Sequence, residues 1–168
     1  MNRYFSAPSA AILFAATTLA GTACLAQAST ATSKETRMTQ HIKGSFDVKL
    51  TPQTSPGKPA DTVPGRMSID KQFNGELDAH SVGEMLAAMG NVKGSAGYVA
   101  IEQVTGKLQG RSGTFVLQHT GTMNRGAAQL SVTVVPDSGT GELTGLEGSM
   151  KIDIVDGKHF YEFDYTLP

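Results

Sequence analysis

The 168-residue chain has no tryptophan and one cysteine, Cys24. Charged residues are only 17% of it and the formal net charge is -1. Without a basic stripe, nucleic acid and anionic membrane surfaces are poorly matched partners. No apolar run reaches the ~20 strongly apolar residues that a membrane span needs. The common catalytic signatures are missing as well. There is no His-Glu-x-x-His pair for zinc and no Gly-x-Ser-x-Gly nucleophile elbow. Gly139-Thr-Gly141 lacks the lysine of a phosphate loop and reads as a β-turn or short helical turn. His41, His80, His119 and His159 are too widely spaced to suggest a ligand set, so neither a metal nor a cofactor is expected. What the chain does have is 19 glycines and 7 prolines, the composition of a turn-rich β protein.

Residues 1–28 read as a secretory signal peptide. Arg3 is the only charge at the start, Ala10 to Ala20 is apolar, and Ala26-Gln27-Ala28 suits cleavage before Ser29. A membrane anchor is the competing reading, weakened because Thr17, Thr18, Gly21 and Thr22 dilute the apolar run. A lipid-modified Cys24 is a third, and Gly21-Thr22-Ala23 before it lacks the usual large aliphatic residue. Simple cleavage predicts a periplasmic or secreted protein with no stable membrane span and, once Cys24 is removed, no disulfide. Residues 29–38 have no apolar face and read as a flexible tether, leaving 39–168 as the folded domain.

Within that domain the periodicity is two. Ile42, Gly44, Phe46, Val48 and Leu50 share one side of a strand, and His41, Lys43, Ser45, Asp47 and Lys49 the other. The stretch carrying Pro52, Pro56, Pro59 and Pro64 is expected to be a surface loop outside any sheet. Gly65 to Phe73 alternates again and meets a hairpin signal at Asn74-Gly75, after which Gly75 to Val82 returns. Glu84 to Met89 reads either as one helical turn, with Met85 and Met89 four apart, or as an anchored loop. Four strands follow at Tyr98–Thr105, Thr114–Thr122, Ala127–Val135 and Ser149–Val155, and His159–Leu167 closes the chain after the Asp156-Gly157 turn. Short connections make the neighbours antiparallel. Eight such strands predict an all-β, eight-stranded antiparallel barrel, with a two-sheet sandwich as the alternative. A faint echo beginning at Gly75, Gly106 and Gly141 is either a duplicated unit or a chance pattern of glycine-bounded leucines.

Several spaced motifs resemble one bacterial family, that of domain of unknown function 3224. They are Ile69-Asp-Lys-Gln-Phe-Asn-Gly-Glu-Leu77, Ala96-Gly-Tyr-Val-Ala-Ile-Glu102, Gly110-Arg-Ser-Gly-Thr-Phe-Val-Leu-Gln-His119, Val134-Val-Pro-Asp-Ser-Gly-Thr-Gly-Glu-Leu143 and His159-Phe-Tyr161. The resemblance spans roughly residues 39 to 167. The family is similar in architecture to the allene oxide cyclase barrels, and Ser138-Gly-Thr-Gly-Glu-Leu143 resembles a motif of plant dirigent proteins. This implies a barrel with a central cavity and leaves room for homo-oligomers. It transfers no reaction.

Strand parity then nominates a site. If Phe115, Leu117, His119 and Gly121 face inward, His119 projects into the lumen. On the last strand Tyr161 falls with the aromatic set, opposite Glu162 and Asp164, and His159 shares its parity. Lys71 falls with Met67, Ile69 and Phe73, and Glu102 with Tyr98, Ala100 and Val104. The candidate ligand-binding residues are therefore Lys71, Tyr98, Glu102, His119 and Tyr161. A buried charge must pair, neutralise or meet water, so Lys71 and Glu102 are expected to form an interior ion pair completed by His119 and Tyr161. Three functions fit. One is an exported barrel holding a small hydrophobic molecule. The second is an isomerase- or cyclase-type enzyme using the buried carboxylate. The third is a structural or assembly protein with a filled interior. A satisfied core network that only fixes strand register accounts for the same residues.

Overall fold

The computed structural model describes residues 37–53 and 64–168. The residues read as a signal peptide, most of those read as a tether and the middle of the proline-rich stretch lie outside them. Eight strands follow in chain order: β1 (Gln40–Gln53), β2 (Gly65–Gly75), β3 (Leu77–Met89), β4 (Ala96–Leu108), β5 (Arg111–Asn124), β6 (Ala127–Val134), β7 (Glu147–Val155) and β8 (Lys158–Thr166). Each pairs antiparallel with the next, and β1 pairs with β8, closing the barrel. The described residues contain no helix long and apolar enough to cross a membrane.

The period-two pattern places the side chains as the sequence predicts. Ile42 and Phe46 of β1, Ile69, Lys71 and Phe73 of β2, Leu77, Ala79 and Ser81 of β3, and Ala100, Glu102 and Val104 of β4 are all buried. So are Phe115, Leu117 and His119 of β5 and Tyr161, Phe163 and Tyr165 of β8. Phe115 stacks on Phe163 at 6.0 Å, and Phe73 meets Tyr161 edge-on at 5.6 Å. Each aromatic side chain so removed from water contributes about 1.5–3 kcal/mol.

The two ends differ. At one end, the base, lie the β2–β3 and β4–β5 hairpins and the long β6–β7 connection. That connection runs along the lower part of β5. The Thr140 amide donates to the Thr114 carbonyl at 2.8 Å, and the Val116 amide donates to Ser138 Oγ at 3.1 Å. It delivers Leu143 and Leu146, both buried, against the core. Gly141–Leu143 forms a single 3-10 turn, as Gly139-Thr-Gly141 suggested. At the other end, the mouth, lie the β3–β4, β5–β6 and β7–β8 turns, the last with positive φ at both Asp156 and Gly157. β6 and β7 are joined by one register pair, Thr133 with Ser149.

Three sequence expectations need correction. Glu84 to Met89 is neither helix nor loop but the end of β3. A spacing of four is even, so Met85 and Met89 share a face in a strand as well as in a helix. Pro52 lies inside β1, opposite Met67. Beyond Phe46 that strand pairs with β2 alone, an edge position where proline is tolerated. The echo at Gly75, Gly106 and Gly141 marks no repeated unit, because these glycines fall at a hairpin, inside β4 and at the 3-10 turn.

Candidate functional site

Lys71, Ser81, Glu102 and His119 come from four consecutive strands, β2 to β5, and meet inside the barrel. Strand register explains the meeting. Lys71 is directly opposite Ser81, Glu102 lies opposite Gly83, and His119 lies opposite Ala100, one inward position from Glu102 on β4. Glycine at 83 lets β3 pass close over the glutamate, since a Cβ there would sit 2.7 Å from that of Glu102 and 2.2 Å from the Ile101 carbonyl.

The carboxylate is fully satisfied. Lys71 Nζ donates to Glu102 Oε1 at 2.6 Å, and His119 Nε2 lies 2.8 Å from the same oxygen. Ser81 Oγ donates to Oε2 at 2.8 Å. Glu102 is 0% exposed. Burial by itself would raise its pKa, but the hydrogen bond from His119 and the charge and hydrogen bond of Lys71 outweigh it and bring the carboxyl down to about 2. A carboxylate so stabilised only accepts, so Nε2 of His119 carries the proton it shares. The Lys71 ammonium also lies 4.8 Å from the Phe46 ring centre and 5.1 Å from that of Phe73, packed over their faces. Among the described residues no buried side-chain polar atom lacks a partner. The expected ion pair and imidazole are thus together, whereas Tyr161 is not with them. Its hydroxyl accepts from the Leu77 amide at 3.1 Å and donates to the Asn74 carbonyl at 3.3 Å, tying β8 to the β2–β3 hairpin at the base. His159, half-buried, packs against the Phe46 ring at 5.0 Å instead of joining the network.

Toward the mouth the lumen is not filled. A recess of about 250 Å³ is lined by the ends of β3, β4, β5 and β6, chiefly Met85, Tyr98, Gly121, Met123 and Leu130. Tyr98 is the one residue of the sequence-derived set that lines it. Its phenol titrates above the ordinary value, first because it is half-buried and then because the Glu102 carboxylate is near. The ring lies over Gly121, where any Cβ would collide with it. On their strands Glu102 lies two inward positions deeper than Tyr98 and His119 one deeper than Gly121, and neither lines the recess. Parity reasoning found the charged network but missed Ser81 and the recess wall. Ser81 was legible, since it shares the inward parity of Leu77 and Ala79. A larger depression, about 510 Å³, runs between β1 and the β7–β8 turn past Asp47, Lys158 and His159 and touches none of the network. No group of three or more His, Cys, Asp or Glu side chains suited to a metal occurs among the described residues.

This is a closed antiparallel barrel whose waist is occupied by a satisfied ionic cluster and whose mouth holds an apolar recess. The chain belongs to the family described as protein of unknown function (DUF3224), which matches residues 42–165. It is similar to a crystal structure of a protein of unknown function from that family from Shewanella oneidensis MR-1. The two are 57% identical over 78% of this chain and 98% of that one, with a TM-score of 0.72. No curated protein matches the chain.

Proposed function

We propose that this protein is an exported carrier that holds a small apolar molecule in the recess at the barrel mouth. The observation that carries this reading is the recess itself. Four strands contribute apolar wall, and one phenol is poised at its edge as a polar handle. Pockets of this make-up, mostly apolar with few polar groups, are how small ligands are bound. The volume suits a compact ligand smaller than a typical drug molecule. Export rests on the signal-peptide pattern of residues 1–28, which makes the working compartment periplasmic or extracellular. The likeness in architecture to allene oxide cyclase barrels supports a ligand in the lumen and assigns no reaction.

The binding reading is favoured over the enzymatic one by the state of Glu102. A carboxylate brought down to about 2 and engaged by three donors is a weak base. It is also walled off from the recess that would hold a substrate. Its role in this reading is to brace β3, β4 and β5, three of the four strands that form the wall.

The test is titration with the fluorescent apolar probe N-phenyl-1-naphthylamine. Saturable one-site binding is expected, with Ala128→Trp abolishing it by filling the recess from its exposed β6 wall while circular dichroism stays unchanged. Glu102→Gln should leave probe affinity intact. Absence of saturable binding, or binding indifferent to Ala128→Trp, would overturn the proposal.

A further inference from the structure

Four methionines gather at the mouth, and apolar packing does not require that residue type there. Met67 of β2, Met85 and Met89 of β3, and Met123 of β5 all have inward parity and all lie toward the same end. Met67 is directly opposite Met85. Met89 and Met123 both lie opposite Ala96, one on each side of β4. Met85 and Met123 line the same recess. They are not sealed into the core: Met89 is 75% and Met123 42% exposed. By contrast Met150 of β7 is buried among aromatic and aliphatic side chains.

We infer that the barrel mouth is a thioether site for a soft monovalent cation of the Cu(I) or Ag(I) class. Thioether sulfur is a soft, polarisable donor that selects such ions over hard or borderline ones. The recess wall offers no carboxylate and no imidazole, the donors that calcium, magnesium or zinc would need. Directly opposed residues on antiparallel strands have Cβ atoms about 4.5–5.5 Å apart, which puts two flexible thioether arms within reach of one ion. The alanines near them, Ala87 and Ala96, leave the space in which those arms can converge, whereas the room over Gly121 is taken by the Tyr98 ring. A thioether has no proton to lose, so the site binds without proton release and stays competent in acid, unlike a thiolate or imidazole site.

The inference uses the recess of the proposed carrier but does not depend on an apolar ligand entering it. The experiment is titration of the purified chain, labelled at the methionine methyl carbons, with silver nitrate in chloride-free buffer, followed by NMR and native mass spectrometry. One equivalent should bind, moving the Met85 and Met123 methyl signals and that of Met67 or Met89, with Met150 unmoved. Zinc should move none of them. In Met85→Leu/Met123→Leu the silver affinity should fall by more than about tenfold, at least the loss typical of removing a supporting group around a metal. Leucine keeps the wall apolar and near its volume, so a fall in silver affinity reads the loss of sulfur and not of apolar wall. Met67→Leu/Met89→Leu changes thioethers outside the recess wall, so silver affinity lowered there with N-phenyl-1-naphthylamine binding retained separates the two readings. Silver affinity unchanged in the Met85→Leu/Met123→Leu variant, or shifts confined to Met38, which lies exposed ahead of β1, would overturn the thioether site.

Discussion

The ammonium of Lys71 and the carboxylate of Glu102 lie 2.6 Å apart inside the barrel, on strands separated by β3. The side chains are 5% and 0% exposed. Neither charge can reach water without opening the sheet, so each is held in place by the other. Because Glu102 also receives Ser81 and His119, one carboxylate fixes the relative position of four strands.

Removing one member should therefore cost far more than removing the charge pair. Lys71→Met leaves Glu102 buried without its cation, a change that typically destabilises by about 3–5 kcal/mol. That is a large share of the stability of a domain this size. Lys71→Met/Glu102→Gln has no orphaned charge and keeps an acceptor for His119, so more than half of the loss should be regained. Urea unfolding of the single and double variants measures both. Equal destabilisation by the two would show that the pair is not the organising contact.

The same carboxylate sets an acid limit. Its folded pKa, about 2, lies below the ordinary 4.5. A depressed carboxyl contributes stability that is fully present above the unfolded value and is lost as pH falls toward the folded one. Stability should thus decline between about 4.5 and about 2, with Glu102 accounting for on the order of 3 kcal/mol of the decline. Glu102→Gln should flatten that part of the profile while lowering stability at neutral pH. An identical acid slope in wild type and Glu102→Gln would refute the assignment.

Tyr161 belongs to the base and not to the site, and this is separable by experiment. In Tyr161→Phe the Leu77 amide loses its acceptor and the Asn74 carbonyl its donor. Leaving such a buried amide unpaired costs about 1–3 kcal/mol. The chemical-denaturation midpoint should fall accordingly, with probe affinity at the mouth unchanged. A loss of probe affinity without a loss of stability would place Tyr161 in the ligand site after all.

Most of the barrel was legible in the sequence because its signal is local. Alternation sorted Phe115, Leu117 and His119 from their neighbours, and Asn74-Gly75 and Asp156-Gly157 marked turns by their own chemistry. Inward parity also delivered Lys71, Glu102 and His119, since a polar residue on an apolar strand face must find a partner. What alternation cannot give is depth along the barrel. Tyr161 has the right parity but lies at the base, and Tyr98 has it but lies at the mouth, a distinction set by strand register and tilt. The mouth recess was hidden for the same reason. It arises where Gly121, Ala87 and Ala96 coincide across three strands, a coincidence visible only once the strands are paired.

The contact between Tyr98 and Gly121 is the part of that coincidence most open to measurement. The two are directly opposite on β4 and β5, and a Cβ at position 121 would lie 2.1 Å from the ring at Cε1 and 2.7 Å at Cδ1. The obstacle is a side chain, so the ring must swing off the strand if the glycine is replaced. An aromatic ring seated over a strand glycine shields the backbone that the glycine leaves bare. Gly121→Ala should lose that contact and overpack the site, at a cost of about 1–3 kcal/mol. The displaced ring has the recess as its nearest open space, so probe affinity should fall together with stability. In a Tyr98→Ala background the same substitution meets no ring and should cost little. The double-mutant cycle should return a coupling of about 0.5–3 kcal/mol, the range for residues in contact. A coupling near zero would mean that Tyr98 does not rest on Gly121 in solution and that the recess has a different wall.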